Sequence, residues 1–183
     1  MLTDYVVIDL EMTGLNAKTD RILEAGAARV RGNVVTATFS EIINPKRELS
    51  EKVISLTGIT NEMAVQGKEM DATLMAFLDF IGEDILVGQN VIFDYSFLKQ
   101  WAVNHKRTFE RNAVDTLKLA RKFLPQEQKK DLASLCSYFG IERVHAHRAL
   151  DDVMETQQIF EQLQKMYEAG ASEAFDHIRC NIK

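Results

Sequence analysis

A chain of 183 residues that is 46% apolar, with only nine glycines and two prolines, can bury one sizeable core, and a single domain over 1–183 is expected with its core at about 4–168. Apolar runs break well before the about 18 residues of a membrane helix, and Met1-Leu2-Thr3-Asp4 lacks the parts of a secretory signal, so the expectation is a soluble, cytoplasmic protein with no membrane partner. A net charge of −5 argues against a broad basic surface, but not against an anionic substrate, because cations bound in an acidic site reverse its sign locally.

Residues 4–11 read as a strand buried on both faces, since the run is almost continuously apolar. Ile22 to Arg31 and Val34 to Ile43 are two further strands, and the two-residue turn Gly32-Asn33 between them predicts an antiparallel meander of three. Ser50-Glu51-Lys52-Val53 opens a short helix that Gly58 ends, and Thr60-Asn61-Glu62-Met63 caps another. Asp71-Ala72-Thr73-Leu74 opens a longer helix with Leu74, Phe77, Leu78 and Ile81 on one face and Gly82 beyond its last turn. Ile85 to Gly88 is a brief strand, Phe93 to His105 a helix, Ala113 to Asp115 a fifth strand and Thr116 to Phe123 a helix before Pro125. Asp131 caps Leu132 to Phe139, which Gly140 terminates; the last long helix runs from about Arg148 to Ala169, and 170–183 read as a short terminal helix. Three strands in meander followed by alternating helix and strand imply a mixed five-stranded α/β sheet covered by helices. Cys136 and Cys180 have no CxxC partner and no zinc-ligand spacing, which fits a reduced compartment.

The chemistry starts in the first strand. Side chains alternate faces along a strand, so Asp9 and Glu11 point the same way and set two like charges side by side. Such a pair is costly unless something positive lies between, and oxygen-only ligands suit a hard divalent cation such as magnesium or manganese. Asp94 follows the fourth strand and opens a helix; position alone is equally compatible with an acid that complements the helix dipole. In His145-Ala146-His147-Arg148-Ala149-Leu150-Asp151-Asp152, a continuous helix would set His147 and Asp152 about 140° apart. Both reach one site only if His147 lies in the loop before the helix and Asp152 in its early turns. Asp151 then reads as the solvated member of its pair, and Asp115 as the cap of the helix from Thr116 rather than a further ligand.

Taken in order, these residues resemble the histidine branch of the DEDD exonucleases. Asp9-Leu10-Glu11-Met12-Thr13-Gly14-Leu15 is similar to the family's first motif, Asp94 with Asn90 and Phe93 to its second, and His147 with Asp152 to its HxxxxD third motif. Asn44-Pro45, Leu56-Thr57-Gly58-Ile59-Thr60, Asp115-Thr116-Leu117 and Asp131-Leu132-Ala133-Ser134-Leu135-Cys136 also resemble the proofreading epsilon subunits of bacterial DNA polymerase III. Met12, where many members carry threonine, is similar to oligoribonuclease, and Gln89 stands where relatives often have histidine. The resemblance implies a ribonuclease H-like fold and a 3'–5' exonuclease in which Asp9, Glu11, Asp94 and Asp152 hold two divalent ions, Mg2+ or Mn2+, about 3.5–4 Å apart. It implies His147 as general base, nucleoside 5'-monophosphates as products, and a single-stranded DNA or RNA 3' end as substrate, with a DNA polymerase as a candidate partner. By the same resemblance the backbone at Met12 and Thr13, with Leu15 and Ile59, lines the terminal nucleotide's pocket, with Asn90 and Phe93 beside it; for Leu15, Ile59 and Phe93 a plain packing role is the alternative. An inactive exonuclease-like binding module and an endonuclease of the same fold are the rival readings.

Overall fold

The computed structural model describes residues 1–143 and 147–170, so the expected terminal helix beyond residue 170 and Cys180 lie outside the described residues. Five strands form one sheet in the order β3-β2-β1-β4-β5: β1 (Tyr5–Met12), β2 (Ile22–Arg31), β3 (Val34–Ile42), β4 (Leu86–Gly88) and β5 (Ala113–Asp115). The meander β1-β2-β3 is antiparallel, and β4 and β5 extend it in parallel with β1. Gly32 and Asn33 take φ values of 56° and 64°, the paired left-handed residues of a type I′ turn, which matches the twist of the strands they join.

Helices cover both faces because β1 is apolar on both. Val6, Ile8 and Leu10 pack in one core with Leu74, Phe77 and Ile81 of α3 (Met70–Ile81) and with Tyr95, Leu98 and Trp101 of α4 (Ile92–Asn104). Tyr5 and Val7 face the other core, formed with α5 (Thr116–Phe123), α6 (Leu132–Phe139) and α7 (Ala149–Gly170); Tyr5 meets Phe160 of α7 edge-on at 5.1 Å. The short helices α1 (Glu51–Thr57) and α2 (Asn61–Gln66) close a small third cluster of Leu23, Leu49, Ile59 and Ala64. Among the described residues no helix is long and apolar enough to cross a membrane.

Caps account for most helix boundaries. Ser50, Thr60 and Asp131 accept N–H bonds as predicted, and Gly58 and Gly140 end their helices in the left-handed region. The start of α3 differs. Glu69 is its cap, accepting from the Ala72 N–H at 2.8 Å, while Asp71 lies in the first turn and accepts from the Trp101 indole at 2.9 Å, tying α3 to α4. The start of α4 falls one residue early, at Ile92, and no side chain caps it.

Candidate active site

The alternation along β1 sends Asp9 and Glu11 to the Tyr5 and Val7 side, toward α7, and their positions near the strand's end bring them to the rim of the sheet. Asp94 reaches them from the opposite layer. Its Oδ1 accepts the backbone N–H of Leu10 at 2.8 Å, so the first turn of α4 is fastened to β1 between the two acids. The turn that delivers Asp94 is tightly built: a Cβ on Gly88 would come within 2.7 Å of Val91 Cγ2, and Asn90 adopts a left-handed φ of 57°. The Asn90 N–H donates to Asp115 Oδ1 at 3.0 Å, and the same oxygen accepts from Leu117 N at 2.9 Å. Asp115 is therefore the expected helix cap and also the anchor of that turn.

The third contribution comes from α7. His147 sits outside the helix in a left-handed turn, with φ of 59°, and Asp152 lies in the first turns. In that arrangement ligand atoms of Glu11, His147 and Asp152 all lie within 4.8 Å of one another. What fixes α7 against the sheet is Glu24, which faces Glu11 across β1-β2. It is 1% exposed, accepts the Ala149 N–H at 3.0 Å and pairs with Arg148 at 2.9 Å. Beside it, Gly26 lets the helix start touch the strand: a Cβ there would stand 2.5 Å from the Ala149 carbonyl carbon. Arg143 secures the other side, bridging Asp152 at 2.9 Å and Glu155 at 2.8 Å.

Burial pushes these carboxyls up together, and repulsion within the cluster adds to it at Asp9 and Glu11. Asp9 is raised well above the ordinary carboxylate range by burial first, then by Asp94, Glu11, Asp152 and Glu24. Glu11 is pushed up to about 8 by burial and by Asp152, Glu24 and Asp94, against the pull of Arg148. Burial raises Asp94 to about 7, opposed by the Leu10 N–H; burial raises Asp152 too, opposed by Arg143 and His147. Arg143 is shared between Asp152 and Glu155 and Arg148 is held by Glu24, so two guanidinium groups face six carboxyls and leave the cluster with acid in excess. Oxygen donors held in surplus fit a hard divalent cation.

The residues expected around this cluster divide. Leu15 is 75% exposed and Phe93 38%, so neither is core. A groove of about 580 Å³ runs between residues 15–18 and α4, with Leu15, Ile92 and Val103 among its walls. Met12 packs against the first core, and the Thr13 hydroxyl accepts the Arg21 N–H at 3.0 Å, closing the 13–21 loop. Ile59 is a correction. It is 0% exposed in the third cluster, where α1 and α2 fold over it, and offers no surface to a nucleotide. Asp151, expected in solvent, is half-buried. Sequence reading missed Glu24, Gly26, Arg143 and Arg148; a lone acid in the apolar first half of β2 was the one available signal, for Glu24.

Compared with known proteins, the sequence matches the family described as Exonuclease (RNase_T) over residues 6–160. It is 37% identical over 157 residues to the DNA polymerase III subunit epsilon of Aquifex aeolicus, covering 85% of this chain and 78% of that protein. To the DNA polymerase III PolC-type protein of Clostridium perfringens it is 34% identical over 156 residues, covering 85% of this chain but only 11% of that larger protein. Exonuclease X in complex with 5' overhanging duplex DNA superposes with a TM-score of 0.73 at 21% identity, covering 94% of this chain and 98% of that one. The nuclease domain of 3'hExo, a DEDDh family member bound to rAMP, gives 0.74 at 19% identity over 89% and 92%. At these identities the structural likeness is one of fold, the ribonuclease H-like architecture that the family resemblance implied.

Proposed function

The chain belongs to the exonuclease family, and from that premise we propose that it is a 3'–5' exonuclease of the DEDDh type, which removes nucleoside 5'-monophosphates from the 3' end of single-stranded nucleic acid, with DNA as the favoured substrate. The observation that carries this reading is the convergence of Glu11, His147 and Asp152 within 4.8 Å beside an Asp94 bonded to the backbone between Asp9 and Glu11. Asp9, Glu11, Asp94 and Asp152 would hold two divalent cations, magnesium or manganese. Such ions, when bound, neutralise the phosphodiester and the charge that builds on its oxygens.

The protein's own groups do the rest. An imidazole at His147, placed outside the helix and open to solvent, takes the proton of the attacking water. Arg143 keeps Asp152 from swinging out, and the Leu10 N–H keeps Asp94 turned in. Exposed Leu15 and Phe93 offer apolar surface on which a terminal base stacks without regard to identity. Preference for DNA, and a DNA polymerase as partner, are supported by relatives named as polymerase III subunits.

The deciding experiment compares matched single-stranded DNA, RNA and dinucleotides at fixed salt, with EDTA as control. Mononucleotides released from the 3' end, fastest from DNA, are the expected result. Oligonucleotide products would mean an endonuclease, no products in any metal would mean a binding module, and faster RNA cleavage would overturn the substrate preference.

A further inference from the structure

A strand whose 3' end lies at an acidic cluster must leave across some other surface, carrying a phosphate at every nucleotide over a protein of net charge −5. Two grooves adjoin the site's loops. In the groove along α4 the cations are Lys18 and Lys99, and Lys99 is already paired with Glu110 at 2.8 Å. The other, of about 460 Å³, lies between α5, the start of α6 and the turn before α4, and its walls include Gln89, Asn90, Leu117, Arg121, Gln128 and Lys130. Charge is reversed there. Between Thr116 and Asp131 the chain carries five basic residues, Lys118, Arg121, Lys122, Lys129 and Lys130, against only Glu127 and Asp131. The Asp131 carboxylate is engaged by the N–H and hydroxyl of Ser134. Arg121 is exposed and makes no ion pair among the described residues, and the Lys130 ammonium donates to the Glu127 carbonyl, which is not a counter-charge.

The groove is also fixed in register with the acids. The Gln89 amide donates to the Lys130 carbonyl at 2.7 Å and accepts from the Thr116 hydroxyl, so one wall is bonded to the other. Asn90, in the same wall, is held by Asp115 and lies four residues before Asp94. Guanidinium, ammonium and side-chain amides together match the donors that bind phosphodiesters without reading bases. We propose that this groove is the track for the phosphodiester backbone of the strand upstream of the nucleotide being removed, with Arg121 and Lys130 as its phosphate-binding cations. The assignment rests on the exonuclease reading only for what occupies the neighbouring acidic site.

The test uses the whole chain and the double variant Arg121→Gln/Lys130→Gln, checked for an unchanged melting temperature. Hydrolysis of single-stranded DNA of 3 and 20 nucleotides is measured together with binding of a 5'-fluorescein 20-mer, the latter in an Asp152→Ala background in magnesium. Loss of two phosphate contacts should make the slope of log K against log salt shallower by about 1.4 and weaken 20-mer binding about tenfold. The fall in kcat/KM should be about tenfold for the 20-mer and less than twofold for the trinucleotide. Arg121→Lys alone should keep the wild-type slope. An unchanged slope, or equal penalties at both lengths, overturns the track. If neither DNA is hydrolysed while 20-mer binding still depends on Arg121 and Lys130, the exonuclease reading fails and the track stands.

Discussion

Asp152 is pulled in two directions: burial raises its carboxyl, while Arg143 at 2.9 Å and His147 favour the charged form. Removing it deletes one oxygen donor and leaves Arg143 with Glu155, so the fold has little reason to suffer. Asp152→Ala, and likewise Asp9→Asn, are expected to abolish hydrolysis of a 3'-labelled strand with an unchanged circular dichroism spectrum; retained turnover would defeat the site. His147→Ala should lower kcat by about 10²–10⁴ and spare metal binding measured by calorimetry. If its pH–rate profile kept the wild-type shape, His147 would not be the base. These residues were legible because each breaks a local pattern: two acids in an apolar strand, an acid at a helix start, a histidine ahead of a helix. Arg143 and Glu24 were not, since their meaning lies in partners up to 125 positions away.

At the scale of elements, α7 decides whether the site exists, because it carries Asp152 and follows His147 directly. Its seat depends on Gly26, where a side chain would drive into the Ala149 backbone. Gly26→Ala is therefore expected to cost about 1–3 kcal/mol in denaturant unfolding, as overpacking does, and to lower kcat more than it raises KM by displacing the start of α7. A variant with full activity and wild-type stability would show that the contact relaxes freely. Helices with caps of serine, threonine or aspartate were readable residue by residue. The starts of α3 and α4 were not: one is capped by glutamate, an uncommon cap, and the other by no side chain at all. At Ile59 the sequence left pocket and packing both open, since an apolar residue after a glycine looks the same whether a neighbouring helix covers it or not; its burial favours packing.

For the whole molecule, the sheet order brings the ends of β1 and β4 together, so acids distant in sequence share one rim. The meander and the mixed five-stranded sheet were legible from the sequence; the order in which β4 and β5 join β1, and the side-chain bonds that lock it, were not. The shared charge has a thermodynamic signature. Glu11 at about 8, Asp94 at about 7 and a raised Asp9 bind protons more tightly folded than unfolded, where carboxyls titrate near about 4. The protein held in EDTA should therefore be most stable near the bottom of that window and lose stability as pH rises toward about 8. Magnesium or manganese should raise the melting temperature most at the alkaline end, and Asp9→Asn should flatten the profile. A melting temperature in EDTA that climbs from pH 5 to 8 would contradict the strained cluster.

One carboxylate, that of Asp115, holds both the first turn of α5 and the bend at Asn90. On the proposed track, a long strand along α5 would press on the same carboxylate that seats the turn before Asp94, whereas a short fragment would not reach it. Chain length would then set tempo as well as grip, with hydrolysis slowing as the substrate shortens.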